Sequence, residues 1–163
     1  MRWVQSMRNL LRRPWQDQCL VGQAYLLLGL ARLAINTVPF SRLATRLGAR
    51  QEESSAAVPP HHVEQARRTG WAVSAASRYT PWNSNCLPQA ITAKYLLHRR
   101  GIDSTLYLGT AFRARTQLEA HAWLRCGSIY VTGGAARQRF EPLGVFGPRV
   151  KCAGGPGSRE ELR

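Results

Sequence analysis

The apolar residues of this 163-residue chain change period once, and that change constrains the fold class more than any other feature. Up to Gly101 they recur at helical spacing. From Ser104 they alternate with polar residues, as in strands with one buried face. Helices followed by a small antiparallel sheet make an α+β architecture. The length suits a single domain, and a hydrophobic share of 44% is enough for one core.

In the helical half, Leu20, Ala24, Leu27, Leu28, Ala31, Ile35 and Val38 lie close to a 3.6-residue period, predicting a helix from Trp15 onwards. Pro39 breaks it, and Ser41 is placed to cap a second short helix over residues 42–47, closed by Gly48. The run CLVGQAYLLLGLA is thirteen residues long, under the ~20 needed to cross a bilayer. Arg12 and Arg13 precede it as in a signal peptide, but Asp17 intervenes and no small-residue cleavage site follows. The helix therefore reads as buried or interfacial. QEESSAAVPP, residues 51–60, reads as a polar linker. This divides the chain into a basic, apolar helical region (residues 1–50), a linker (51–62), a core (63–148) and a loose tail (149–163).

Within the core a helix is expected over residues 63–76 and a polar-aromatic loop over 77–85. A strong helix then opens at Cys86, with Pro88 in its first turn and Gly101 ending it. Strands follow over residues 104–109 and 120–126. Gly127-Ser128 forms a tight turn into a return strand over 129–132, and the stretch on to Phe146 reads as irregular. No internal repeat is visible.

Charge excludes some functions. The chain carries 23 Lys+Arg against 9 Asp+Glu, net +14, and only two Asp, Asp17 and Asp103. So few carboxylates argue against a carboxylate-held Mg²⁺ or Ca²⁺ site and against a glycosidase. Residues 1–50 hold eight Arg and one acid, half of the net charge. No basic run, zinc finger or RNP motif accompanies it, so a nucleic-acid partner is not expected. The charge instead suits an acidic peptide, an acidic partner surface or the cytoplasmic face of a membrane.

Cys19, Cys86, Cys126 and Cys152 are far apart, without a C-x-x-C pair or zinc-ligand spacing to any His. They read as free thiols in a reducing compartment, and neither metal nor cofactor is implied. One of them is placed for chemistry. Cys86 opens a helix, where the macrodipole and unpaired N–H groups favour thiolate over thiol, and His121 lies in a strand 35 residues on. An imidazole near that thiol can take its proton and later protonate a leaving amine.

The stretch NCLPQAITAKYLLHRRGIDSTLYLG, followed by EAHAWLRCGSIYVTGG and FEPLGVFG, resembles the transglutaminase-like B proteins of lasso peptide biosynthesis. The words that carry the likeness are Cys86-Leu87-Pro88 opening a helix that ends in Arg-Arg-Gly, the strand Ala120-His121-Ala122-Trp123, and Pro142-Leu143. The resemblance implies a papain/transglutaminase-like core, with the nucleophile helix packed on a small antiparallel sheet behind N-terminal helices. It also implies a cysteine peptidase that removes the leader of a ribosomal precursor peptide, with Cys86 as nucleophile and His121 as general base. Its implied partners are the precursor, a separate small leader-binding protein and an asparagine-synthetase-like cyclase. Its implied location is the cytoplasm, with membrane or partner contact through the N-terminal helices. A non-catalytic scaffold and an acyl transferase or amidase on the same fold are the alternatives.

The usual third residue of such a site is an Asp on the strand after the histidine. With Gly127-Ser128 as the turn, Gly134 falls opposite His121, and neither Gly133 nor Gly134 has a side chain to offer. A dyad or a backbone orienter is therefore expected ahead of Glu141. Asn85 is a candidate for oxyanion support, and Trp82 and Trp123 are candidates for the walls of a substrate cleft.

Overall fold

The computed structural model describes residues 12–113 and 117–148, so the expected tail lies outside the described residues. Among the described residues four helices come first: α1 Trp15–Thr37, α2 Phe40–Leu47, α3 Pro60–Ser77 and α4 Cys86–His98. Four strands follow: β1 Thr105–Arg113, β2 Gln117–Cys126, β3 Ile129–Thr132 and β4 Glu141–Phe146, with a 3-10 turn Gly134–Arg139 before β4. The sheet order is β3-β2-β1-β4, antiparallel throughout. This is the expected α+β arrangement.

The helices pack on one face of the sheet. Leu28 of α1, Val73 of α3 and Leu96 and Leu97 of α4 share one cluster with Leu106 of β1, Leu124 of β2 and Phe146 of β4. Alanines on the inner sides of α3 and α4 let the backbones approach closely. At Gly70 of α3 an added Cβ would stand 2.4 Å from the Val131 carbonyl, so this helix lies directly on β3. Asp17, buried at the start of α1, is ion-paired to Arg68 of α3 and locks these two helices together. α1 thus contributes to the common core.

Four local expectations are corrected. Ser41 does not cap α2, because Pro39 takes the N-cap position and the helix starts at Phe40. The helix expected from residue 63 starts at Pro60, where proline suits a first-turn position that needs no N–H partner. The stretch before Phe146 is not irregular: β4 pairs with β1 from Leu106↔Phe146 to Thr110↔Glu141.

The last correction concerns the supposed linker, which is a strap on the sheet. Gln51 N–H donates to Val145 O and Gly147 N–H to Ala49 O, both at 2.9 Å. Buried Ser54 donates its N–H to Thr105 Oγ1 at 2.7 Å. Arg125 of β2 reaches both Glu53 and the Ser54 carbonyl at 2.9 Å.

The far end of α4 is fastened by one side chain. Lys94 Nζ donates to the carbonyls of Ser104 at 2.6 Å, Phe146 at 3.0 Å and Gly147 at 3.1 Å. It joins the helix to the start of β1 and the end of β4.

Candidate active site

The loop leading into α4 is held by a small polar network. Thr80 Oγ1 bonds the carbonyls of Ser77 and Trp82, both at 3.1 Å, and the Ser84 hydroxyl at 2.8 Å. Gln89, one turn into the helix, donates Nε2–H to Ser84 O at 2.7 Å. Trp82 anchors the loop against α1, its ring 5.4 Å from that of Tyr25. It fits because Gly29 lacks a Cβ, which would stand 3.1 Å from the indole.

This scaffold delivers Cys86, half-buried, to the first position of α4. Asn85 is the N-cap, yet its exposed side chain makes no capping bond. Pro88 has no N–H, and the Gln89 N–H bonds Asn85 O at 3.3 Å. Among the described residues, the N–H groups of Cys86 and Leu87 carry no hydrogen bond. Two donors at the positive end of a 13-residue helix thus stand beside the thiol. Such a place can bind an oxyanion.

His121 sits in the middle of β2. Its Nε2 is 2.8 Å from the Gly133 carbonyl oxygen. A carbonyl can only accept, so Nε2 carries the proton and the neutral ring keeps its lone pair on Nδ1. Phe140 and Trp123 stack near the imidazole, at centroid distances of 4.8 and 5.9 Å. Residues 130–136 form a pocket of about 400 Å³ with His121.

Gly133 owes its position to a bulge between Leu124 and Arg125, which pairs Leu124 with Thr132 and shifts the register by one. That shift replaces the expected opposition of His121 and Gly134. Gly133 has φ +69°, and an added Cβ would lie 2.4 Å from Ala122 O and 3.1 Å from His121 Nε2. Only glycine fits here. The Gly133 carbonyl is an acceptor of the expected backbone kind, though residue type could not single it out, and Phe140 was not among the expected neighbours of the ring. The sole sequence signal for the former was the Gly-Gly pair itself.

The candidate residues do not all converge. α4 packs against β2, but strand alternation puts Ala122, Leu124 and Cys126 in the core with α4, and His121 and Trp123 on the other face. No hydrogen bond joins Cys86 Sγ to His121. Trp123 stacks on Tyr107 at 5.5 Å, whereas Trp82 lies against α1, so the two indoles belong to different surroundings. Glu141 is exposed on β4 opposite Thr110 and makes no bond to His121. Cys126 is fully buried, and burial raises its thiol pKa, while Cys19 is half-buried on α1.

A cysteine at the head of a helix that packs on an antiparallel sheet bearing a histidine defines a known architecture, and the comparison with family models decides its identity. Residues 26–145 match the model of the transglutaminase-like superfamily. The chain belongs to that superfamily. No curated protein and no solved structure matches significantly. The matched region begins inside α1 and takes in Cys86, His121 and Gly133. The superfamily includes cysteine peptidases; in this domain the hydrogen bond of the His121 ring is to a backbone carbonyl.

Proposed function

We propose that the chain is a cysteine peptidase that removes the leader from a ribosomally made lasso precursor peptide before ring closure. The observation that carries this reading is the head of α4, where the Cys86 thiol lies beside two unpaired N–H groups. The choice of a lasso precursor rests on the sequence resemblance through Cys86-Leu87-Pro88 and Ala120-His121-Ala122-Trp123.

The steps follow from the groups present. His121 Nδ1 takes the thiol proton of Cys86, and Sγ attacks the scissile carbonyl. The resulting oxyanion is held by the N–H groups of Cys86 and Leu87. Collapse expels the amine of the follower peptide, which receives the proton from Nδ1 and leaves a thioester on Cys86. Water, deprotonated by Nδ1, then releases the leader as a carboxylic acid. Throughout, the Gly133 carbonyl keeps the other proton on Nε2 and steadies the imidazolium. The reading requires Sγ and Nδ1, which lie on different faces of β2 in this structure, to be brought within hydrogen-bond reach when the peptide is seated, a larger rearrangement than the tightening of an existing contact. The separate leader-binding protein would present the precursor, and the cyclase would take the freed core peptide, all in the cytoplasm.

The test is cleavage of a precursor peptide by purified Cys86→Ala and His121→Ala chains, with products read by mass spectrometry. Both variants should retain the fold and lose cleavage. Unchanged cleavage by either one refutes the assignment, and an amine adduct instead of a free acid would make the enzyme a transferase.

A further inference from the structure

The outer side of α1 has no partner within the fold. Leu20, Val21, Ala24, Leu28 and Ala31 turn inwards, whereas Trp15, Leu26, Leu30 and Leu33 lie on the opposite side at helical spacing. The three leucines are 58–68% exposed, and Phe40 continues the apolar surface at 49%. The stripe runs through Leu30 into a groove of about 670 Å³ between α1, α2 and α4, lined by Leu27, Leu43, Ile91 and Tyr95. Neither Cys86 nor His121 lines it.

Charge says what fits there. Residues 12–50 hold six arginines and one acid, and that acid, Asp17, is buried against Arg68. Exposed Arg12 precedes the stripe, while Arg13 turns towards Asp17 and the Trp71 ring; exposed Arg42 follows it on α2, and exposed Arg46 lines the groove with Leu30. Asp103 is the one acid in the groove. A second copy of the chain would bring arginines against arginines. An anionic bilayer surface answers both features, taking the leucines below its headgroups and pairing the arginines with phosphates.

By length and composition α1 could also cross a membrane, but its inner side is committed to the core, so it lies along the surface. We infer that the α1–α2 face docks on anionic lipid membranes, with the groove admitting an acyl chain and Arg46 meeting its headgroup. This site is independent of the peptidase reading.

The experiment is co-sedimentation of the full chain with vesicles of phosphatidylcholine, with and without phosphatidylglycerol. Binding should require phosphatidylglycerol and weaken as salt rises. Leu30→Gln with Leu33→Gln should reduce partition about tenfold or more. Arg42→Gln and Arg46→Gln should each cost about fivefold. These positions are exposed, so circular dichroism should report an unchanged fold. Failure to bind, or equal and salt-independent binding to neutral vesicles, overturns the inference. So does a dimer in size-exclusion chromatography that the two leucine substitutions dissolve, since the face would then belong to a second copy.

Discussion

The two ends of α4 are built to opposite purposes. At its head, Cys86 and Leu87 keep their N–H groups unpaired and Asn85 leaves its side chain out of the cap. Towards its foot, Lys94 gives all three of its donors to backbone carbonyls, and Gly101 at φ +69° turns the chain into β1. Unpaired donors at a helix start are a standing cost that an anionic intermediate can repay. A triply bonded ammonium does nothing for chemistry but fixes where the helix stands. The contrast predicts that substitutions at the head change rate without stability, and those at the foot do the reverse. Cys86→Ala is the severest test of the first half. Cleavage should fall by about 10⁴-fold or more, while the urea midpoint stays at the wild-type value.

Lys94→Met tests the other half. It keeps the aliphatic stem and strips three carbonyls of a charged donor, for an expected loss of about 3 kcal/mol in urea unfolding. At a temperature where the variant remains folded, its kcat should match that of the wild type. The titration of Lys94 sharpens the point. Burial lowers its pKa from an ordinary 10.5 to about 8, against the negative charge of Asp103, which favours the protonated form. Between about pH 8 and 10.5 the unfolded chain therefore binds more protons at this site than the folded one. Stability contributed by Lys94, measured against Lys94→Met, should rise with pH across that window. A contribution that falls instead would show that the groups favouring the ammonium outweigh burial.

What the sequence disclosed follows the same divide between side chains and backbone. The head and foot of α4 were legible because Pro88 and Gly101 are residues whose backbone demands are specific. β2 was legible because Ala122, Leu124 and Cys126 alternate with polar or aromatic neighbours. β4 was not, since EPLGVF places Pro142 and Gly144 in a half-exposed edge strand whose apolar residues do not alternate. The strap over residues 49–54 escaped for a similar reason, because backbone bonds and the Ser54–Thr105 hydroxyl contact hold it and leave no hydrophobic period. Lys94 reads in sequence as an ordinary solvated helix residue. At the site, Cys86 and His121 stood out by residue type, whereas the Gly133 carbonyl could not, because every residue has one.

Gly133 is where that blind spot can be probed. Gly133→Ala forces a Cβ to within 3.1 Å of Nε2 at a left-handed φ, so the loop must shift and take the acceptor with it. Stability should fall by about 1–2 kcal/mol, and cleavage by about 10²-fold beyond what that loss explains. Alkylation separates the causes. If Gly133 acts by orienting His121, Cys86 in the variant should react with iodoacetamide near neutral pH as slowly as it does in His121→Ala. Wild-type reactivity would confine the residue to a structural part.

The smallest effect is expected at Glu141. An acid-poor chain tempts one to give its nearest carboxylate the role of a missing aspartate. The sheet forbids it here: β1 stands between β2 and β4, His121 pairs with Gly109, and Glu141 pairs with Thr110 on the far side of β1. Nε2 is already engaged by Gly133 O at 2.8 Å. Glu141→Gln should therefore leave kcat and its pH profile within about twofold of wild type. If it drops cleavage as far as Gly133→Ala does, the imidazole is held by a carboxylate after all, and the helix head depends on β4 as closely as the foot does through Phe146.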